Sequence, residues 1–243
     1  MKLSETTQWC GFKRQDYVYN GREVIMVFPD DEANGKWVWR TEFFDAFPYA
    51  DIEMVKRGYT LAYYKISDLF GAPCAVGLMR GFHNALVGKF GLHNHPILFG
   101  FSRGGLYAFN YACKYPNEIA ALYLDAPVLD IKSWPGGYMA GEGDKAEWEK
   151  CLEAYGYENI SQALEYEFSD RVKILSDAGI PIIVVAGDSD VVVPYEENAK
   201  ILKERYEKLG GKIKVILKKG VGHHPHSLKN PLPIVEYLIE NSR

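Results

Sequence analysis

The sequence predicts an α/β protein with a mostly parallel central sheet and helices on both faces. Short apolar segments alternate with helical segments along the 243-residue chain, which is the pattern of repeated βαβ units. In addition, loops that carry serine, aspartate or histidine follow three of these apolar segments, at residues 100–104, 187–194 and 220–226. The carboxyl ends of parallel strands share one edge of a sheet, where ligands bind. We therefore expect a single domain over residues 1–243 in which the three loops converge.

Apolar runs predict three strands in the N-terminal half, at 23–28, 60–64 and 96–99. Before them, a polar and aromatic segment at 10–20 predicts an edge strand, or a hairpin that turns at Asn20-Gly21. Helical spacing of apolar residues predicts helices at 41–57, 75–90 and 106–113. The second of these helices follows the breaker Gly71-Ala72-Pro73.

The C-terminal half continues the alternation, with one interruption at residues 126–172. Strands are predicted at 119–124, 181–186 and 212–217, and helices at 195–209 and 231–241. The interrupting segment combines the loop-forming Trp134-Pro135-Gly136-Gly137 with predicted helices at 145–155 and 161–168. It is either a cap that covers the site and selects the substrate or one long crossover connection. We favour the cap.

The most informative motif in the chain is Gly100-Phe101-Ser102-Arg103-Gly104. It joins the apolar run at 96–99 to the predicted helix at 106–113. A G-x-S-x-G turn at such a junction raises the serine hydroxyl above the sheet, because small residues on both sides let strand and helix approach closely. The motif taken alone is equally compatible with a glycine-rich connection that contains an incidental serine.

Two later loops supply an acid and a base. One contains Asp188 and Asp190, and the next contains His223. A serine hydroxyl is a poor nucleophile unless a base lies within hydrogen-bonding reach and a third group orients that base. We expect His223 to be the base. The residues alone leave the acid open between Asp190, Asp188 and Asp125, the last of which ends the strand at 119–124.

On these motifs the chain resembles the α/β-hydrolase superfamily over nearly its full length. The order serine, acid, histidine is that of the superfamily's catalytic triad. The resemblance implies Ser102 as nucleophile, Asp190 as acid and His223 as base, and it implies acyl transfer through an acyl-serine without a cofactor. The chain is most similar to a group of bacterial esterase-like hydrolases that carry Phe101-Ser102-Arg103-Gly104-Gly105, Ser133-Trp134-Pro135-Gly136-Gly137 and Gly222-His223-His224-Pro225-His226-Ser227-Leu228.

The resemblance also implies an oxyanion hole that includes the backbone N–H of Arg103. We expect the second donor near Asp30 or Asp31, although the H-G-G-G segment of lipases is absent there. The Arg103 guanidinium either binds a substrate carboxylate or pairs with a neighbouring acid. Its G-x-S-R-x-G context is similar to that of glucuronoyl esterases, which act on sugar-acid esters. Side chains expected to line the substrate pocket, or else to pack in the core, are Trp37, Trp39, Arg40 and Trp134.

Three histidines occur in one loop, and only one of them can be the base. His224 and His226 are expected to order this loop or to contact the substrate. We expect no metal site, because His93 and His95 precede a strand and should lie at the opposite edge of the sheet. No set of cysteines or carboxylates completes a zinc geometry either.

The composition excludes several partners. The formal net charge of −4, without a basic stripe, argues against nucleic acid. The four cysteines are widely spaced without a C-x-x-C pair, which is typical of reduced thiols. The first eight residues lack the apolar core of a signal peptide, and no segment approaches the ~20 apolar residues of a membrane span. We therefore expect a cytoplasmic protein without a membrane partner.

These observations predict a serine hydrolase that acts on a small-molecule carboxylic ester. An acyl or uronate ester of a carbohydrate is favoured by the aromatic-rich composition, which includes 17 Tyr, 12 Phe and 5 Trp. A serine peptidase of the same fold is the enzymatic alternative, although no anchor for a peptide amine is recognisable. A non-catalytic binding protein is the other alternative. Such proteins usually lack a triad member, whereas this chain contains all three candidates.

Overall fold

The structure is a computed structural model that describes residues 1–30 and 33–242. Within these residues, nine strands form one sheet. The strands are β1 (Lys2–Trp9), β2 (Phe12–Tyr19), β3 (Arg22–Phe28), β4 (Trp37–Arg40), β5 (Thr60–Tyr64), β6 (Ile97–Phe101), β7 (Ala121–Asp125), β8 (Ile182–Gly187) and β9 (Ile213–Lys218). Their order is β1-β2-β3-β5-β4-β6-β7-β8-β9. Strands β4 to β9 are parallel to one another, so the predicted mostly parallel sheet is confirmed.

Helices cover both faces of this sheet, as predicted. They are α1 (Tyr49–Lys56), α2 (Pro73–Phe90), α3 (Gly104–Lys114), α4 (Lys145–Tyr155), α5 (Ile160–Leu164), α6 (Val172–Asp177), α7 (Ala199–Lys208) and α8 (Leu232–Asn241). Helices α1 and α8 contribute to one apolar core, and α2, α3, α6 and α7 contribute to the other. Strand β6 contributes side chains to both cores, because side chains alternate along a strand. Ile97 and Phe99 lie in one core and Leu98 lies in the other.

Local signals set the ends of several helices. Pro73 occupies the first turn of α2, where its missing N–H is not needed, and Gly91 ends that helix with φ 66°. Asp144 caps α4, because its side chain accepts a hydrogen bond from the Glu147 N–H at 3.0 Å.

Two strands are absent from the sequence prediction. Strand β4 lies just before the helix predicted over 41–57, at residues for which no element is predicted, and that helix is confined to α1. Four residues are too few to show a periodicity, and the last of them, Arg40, is a buried arginine. Strand β1 was missed because seven of its eight residues are exposed, so no apolar alternation reveals it. Backbone pairing with β2 holds it in the sheet.

The register of the sheet brings the functional loops to one edge. Phe101 of β6 pairs with Asp125 of β7, which pairs with Val185 of β8. The carboxyl ends of these strands are therefore level, and the loops that follow them meet. Strand β3 runs antiparallel to β5, so Pro29 and Asp30 lie at the opposite edge.

The interruption at residues 126–172 contains α4 and α5. Helix α4 has the predicted bounds, whereas α5 is shorter than the helix predicted at 161–168. Among the described residues, no helix combines the length and the apolar character that crossing a membrane requires.

Candidate active site

Ser102 lies in the sharp turn between β6 and α3. Its backbone has φ 47°, a left-handed conformation that a non-glycine residue adopts only when its surroundings impose it. Neighbouring glycines allow the turn to form. A Cβ atom on Gly100 would lie 2.9 Å from the Ala108 Cβ, and one on Gly104 would lie 3.0 Å from the Glu42 Cβ. The Ser102 hydroxyl is thereby presented at the edge of the sheet.

The Ser102 hydroxyl is the first group of a continuous hydrogen-bonded chain. Its Oγ lies 2.9 Å from the His223 Nε2, and the Nδ1 of the same ring lies 2.7 Å from the Asp190 Oδ2. Asp190 is only 6% exposed. Its other carboxylate oxygen accepts hydrogen bonds from the backbone N–H groups of Val192 and Val193, at 3.0 and 2.8 Å, which hold the carboxylate in one orientation. This arrangement can serve as nucleophile, base and orienting acid.

Asp188, the second candidate acid, is exposed and joins two loops. Its Oδ1 accepts hydrogen bonds from the Gly220 N–H at 2.7 Å and from the Ser189 hydroxyl at 2.9 Å. It therefore connects the loop after β8 to the loop after β9. None of its hydrogen bonds to described residues reaches His223.

Asp125, the third candidate acid, belongs to a second histidine–carboxylate pair. Its Oδ1 lies 2.8 Å from the His226 Nδ1, and its Oδ2 accepts hydrogen bonds from the Tyr123 hydroxyl at 2.6 Å and the Ser227 N–H at 2.9 Å. The rings of His226 and His223 are 4.8 Å apart between centroids, so the two pairs lie side by side. Sequence reasoning missed the second pair. The two residues are 101 positions apart, and no motif in the sequence marks them as partners.

A cavity of about 170 Å³ lies directly beside Ser102. Aromatic side chains form its apolar wall, and the hydroxyl and three imidazoles form its polar wall. Its lining consists of Phe43, Ala46, Phe47, Phe101, Ser102, His223, His224 and His226. His224, a predicted substrate contact, stacks on Phe47 with 5.8 Å between ring centroids. Burial and the neighbouring His226 and His223 lower the pKa of His224, so its ring is neutral at pH 7.

Comparison with known proteins identifies the fold. No protein-family model matches the chain, and no curated protein matches it. An α/β-hydrolase enzyme from the sediment metagenome of the Mar Chica lagoon in Morocco superposes on the chain with a TM-score of 0.58 at 14% identity. The superposition covers 93% of this chain and 96% of that one. The chain has the α/β-hydrolase fold.

Two further solved structures share this α/β-hydrolase fold. An S-formylglutathione hydrolase from Agrobacterium tumefaciens has a TM-score of 0.65 at 11% identity, over 99% of this chain and 96% of that one. An acylaminoacyl peptidase from Pyrococcus horikoshii has a TM-score of 0.68 at 13% identity, over 100% of this chain and 42% of that one. The chain thus spans nearly all of the first protein and less than half of the second. Such low identities show the fold, and the activity has to be inferred from the site.

The structure does not bring Asp30, one of the two predicted positions of the second oxyanion donor, to Ser102. Because β3 runs antiparallel to β5, Asp30 lies at the edge of the sheet opposite to Ser102, and Asp31 lies outside the described residues. The loop that reaches Ser102 is the one after β4. There, the Thr41 Oγ1 donates to a carbonyl at the start of α3 at 2.9 Å, and Phe43 lines the cavity. The error follows directly from the missed strand.

The side chains of β4 do not line the cavity, contrary to the prediction for Trp37 and Arg40. Trp37 and Trp39 are buried in the core, and the Trp37 indole donates to the His93 carbonyl at 2.7 Å. Arg40 is 1% exposed and pairs with Asp51 at 2.9 Å. Its guanidinium also donates to the backbone carbonyls of Glu42, Phe43 and Ala46. Arg40 therefore shapes the loop that lines the cavity.

The Arg103 side chain pairs with carboxylates of the protein itself. Its guanidinium donates to the Glu147 Oε2 at 2.7 Å and to the Glu42 Oε2 at 3.1 Å. Since Glu147 belongs to α4, these bonds join the insertion to the turn that holds Ser102. Trp134, in the same insertion, packs against Phe70 with 6.4 Å between ring centroids. It is not among the described residues that line the cavity beside Ser102, so its role as a substrate contact stays a prediction.

Burial of Glu42, the partner of Arg103, makes part of the folding stability depend on pH. Glu42 is 0% exposed, and burial raises its pKa although Arg103 acts in the opposite direction. The folded protein therefore holds this proton more tightly than the unfolded chain does. Glu42 contributes most stability at low pH, and this contribution is lost as the pH rises through the folded-state pKa.

We expect Arg103→Met to lower the free energy of unfolding by about 3–5 kcal/mol at neutral pH, because the buried Glu42 carboxylate loses its cationic partner. The loss should shrink in acid, where Glu42 takes up a proton. Urea unfolding at several pH values measures both effects. In the control Glu42→Gln/Arg103→Met the buried charge is absent, so most of the stability should return. A loss that is identical at neutral and acidic pH would contradict this interpretation.

A larger cavity of about 540 Å³ lies away from Ser102. Its walls include Tyr155, Tyr166 and Arg171, and it shares no lining residue with the cavity beside Ser102. Its polar groups bond to one another, as in the 2.8 Å hydrogen bond from Arg171 to the Tyr166 hydroxyl. The smaller cavity is therefore the candidate site, because it borders the hydroxyl of Ser102, although the other cavity has the greater volume.

Proposed function

We propose that the protein is a serine hydrolase that cleaves small carboxylic esters through an acyl-serine intermediate. The observation that carries this proposal is the hydrogen-bonded chain from Ser102 through His223 to Asp190, whose hydroxyl end borders a cavity. The α/β-hydrolase fold supports the same class of reaction, because it presents a nucleophile, an acid and a base at one edge of a sheet.

In the proposed acylation, the His223 Nε2 takes the proton of the Ser102 hydroxyl as Oγ attacks the ester carbonyl carbon. Asp190 holds the Nδ1–H of the ring and stabilises the imidazolium that forms. When the tetrahedral intermediate collapses, the bond to the alcohol oxygen breaks, and His223 delivers the proton to that oxygen. In deacylation, a water molecule gives a proton to His223 and attacks the acyl carbon. The carboxylic acid leaves as the Ser102 Oγ recovers its proton.

We propose the backbone N–H groups of Arg103 and Phe43 as the donors to the oxyanion. Arg103 directly follows the nucleophile, and its N–H has no backbone acceptor among the described residues. Phe43 lies on the loop after β4 and lines the cavity beside Ser102. Donors fixed in this way stabilise charge where it develops in the transition state, and each typically contributes about 10²–10³-fold to turnover.

We propose a short acyl group as the part of the substrate that enters the cavity. The volume of about 170 Å³ is well below the roughly 300–1,000 Å³ of pockets that take drug-sized ligands. The alcohol would then extend toward the surface, where Phe43 is 39% exposed and offers a face against which a sugar ring can pack. The insertion at 126–172 adjoins the site through the Arg103–Glu147 pair, and we propose it as a cap on the alcohol side.

Turnover of three substrates tests this proposal. We expect p-nitrophenyl acetate to be hydrolysed with a kcat/KM at least about tenfold above that of p-nitrophenyl octanoate, and a dipeptide p-nitroanilide not to be hydrolysed. Preference for the anilide would favour a peptidase, whose fold the acylaminoacyl peptidase of Pyrococcus horikoshii shares. Failure to turn over any of the three would favour a non-catalytic binding protein. A panel of acetylated, feruloylated and uronate-ester sugars would then define the alcohol.

We also propose that the protein works in a reducing compartment such as the cytoplasm. All four cysteines are free thiols: Cys10, Cys74, Cys113 and Cys151. Free thiols, two of them exposed, are typical of such compartments.

A further inference from the structure

We propose that His223, His224 and His226 form a binding site for Zn²⁺, and that the bound ion blocks the serine chemistry. The proposal of a binding site is based on the geometry of the three imidazoles. Only the blocking effect rests on the proposed function.

The three imidazole rings lie next to one another, with centroid separations close to those of a zinc site. At a Zn–N distance of about 2.0–2.1 Å, three tetrahedrally placed imidazoles have ring centroids about 5 Å apart. The observed separations are 4.8, 4.8 and 5.1 Å. One possible ligand atom from each ring lies within 4.8 Å of the other two. In a tetrahedral site these nitrogens would be about 3.3 Å apart, so the rings have to turn toward the ion. His224 is exposed, so its ring can rotate to complete the approach without displacing a buried group.

In the two less exposed rings, the hydrogen bonds to carboxylates occupy Nδ1, so Nε2 is the nitrogen that could bind the ion, in His223 by replacing the Ser102 hydroxyl. The Nδ1 of His223 is bound to Asp190, and the Nδ1 of His226 is bound to Asp125, at 2.7 and 2.8 Å. Zinc-binding histidines almost always donate their other ring N–H to a carboxylate or carbonyl, which orients the ring and raises its basicity. Both rings therefore present Nε2 to the metal.

The charge of the site also fits a divalent cation. The carboxylates of Asp190 and Asp125 are both buried, at 6% and 0% exposed, and together they supply two negative charges next to the three imidazoles. Imidazole nitrogen is a preferred ligand of Zn²⁺. A water molecule or the Ser102 Oγ would complete a tetrahedral set. His93 and His95 precede β6, at the opposite edge of the sheet, and are not needed as ligands.

Zinc at this position would prevent transfer of the Ser102 proton to His223, and no change of oxidation state is involved. The ion takes the lone pair of the His223 Nε2, which otherwise accepts the proton of the Ser102 hydroxyl across 2.9 Å. No proton leaves His223, because its N–H remains on Nδ1 toward Asp190. The serine keeps its proton and stays a poor nucleophile. Removal of the ion by a chelator restores the base.

Calorimetric titration of the full chain with zinc chloride tests the binding site. We expect one ion per chain, and at least about tenfold weaker binding by His224→Ala, which removes one ligand from an exposed position. The matched control is His93→Ala/His95→Ala, which removes two exposed histidines at the other edge and should bind as wild type does. A Co²⁺ spectrum of tetrahedral type without thiolate bands would exclude the exposed Cys10 and Cys74 as ligands. No binding by the wild type, or equal binding by His224→Ala, would overturn the proposal.

Labelling of Ser102 by a fluorophosphonate tests the blocking effect. We expect zinc to stop labelling of the wild type at the concentrations that saturate binding, and EDTA to restore it. His224→Ala should need at least about tenfold more zinc for the same protection. Zinc binding that leaves labelling unchanged would overturn the blocking effect. A protein that is not labelled even without zinc would contradict the proposed function, and the calorimetric result would still decide the site.

Discussion

Replacement of Ser102 by alanine is expected to lower kcat/KM for p-nitrophenyl acetate by about 10⁴-fold or more, and His223→Ala should cause a similar loss. The two losses should be alike because nucleophile and base act as a unit: once either is absent, the other contributes little. Their side chains are only 2.9 Å apart. Steady-state kinetics of the two single variants and of the double variant measure this, and the double variant should be no slower than either single one.

His224→Ala is the comparison that tests the choice of histidine. His224 lines the same cavity as His223, but no hydrogen bond between described residues joins it to Ser102. We expect a much smaller loss, seen mainly in KM. Loss of activity in His224→Ala together with an active His223→Ala would show that the base has been assigned to the wrong ring.

Asp190→Asn is expected to lower kcat by about 10⁴-fold with little change in KM. An amide at this position offers an N–H where the His223 Nδ1–H needs an acceptor, so the ring is held in the wrong tautomer and its Nε2 no longer accepts the serine proton. The effect should be on kcat because Asp190 is not among the residues that line the cavity. Steady-state kinetics of the purified variant test this prediction, and circular dichroism shows whether the variant is folded.

Two other aspartates provide matched controls for Asp190. Asp188→Asn should retain activity near the wild-type level, because its carboxylate is exposed and joins two loops through Gly220 and Ser189. Asp125→Asn should mainly destabilise the protein, by about 1–3 kcal/mol, since a buried acceptor of three hydrogen bonds is changed. An active Asp190→Asn beside an inactive Asp188→Asn or a folded but inactive Asp125→Asn would reassign the acid.

The parts of the fold that the sequence predicts are those with strong local signals. Central strands such as β6 and β8 are continuous apolar runs bounded by glycine or proline, since both of their faces are buried. The turn at Ser102 has a motif whose spacing reflects a steric need. The glycines at 100 and 104 lie where a Cβ atom would meet neighbouring groups at 3.0 Å or less.

The errors at the site have one physical origin, the short strand β4. Its four residues carry no readable periodicity, so the chain after β3 was expected to continue at the wrong edge of the sheet. That single omission placed the second oxyanion donor near Asp30, when the loop at 41–47 is the one beside Ser102. It also assigned Trp37 and Arg40 to the pocket, whereas the sheet buries both.

The pairing of Asp125 with His226 was beyond sequence reasoning for a different reason. Both residues were noted, one as a candidate acid and one as a loop histidine, but their contact exists only after β7 and the loop following β9 meet. Their hydrogen bond of 2.8 Å holds the His226 ring beside the rings of His223 and His224. It explains why Asp125, although level with Ser102 on the sheet, is already engaged by another ring.

Intact-protein mass spectrometry after treatment with a fluorophosphonate, followed by peptide mapping, tests the central claim that Ser102 is activated by His223 and Asp190. We predict one adduct per chain, located on the peptide that contains Ser102, and a strongly reduced rate of labelling in His223→Ala and Asp190→Asn. The absence of an adduct on the folded wild-type protein, an adduct on a different residue, or labelling of Ser102 at the same rate in all three proteins would contradict the claim.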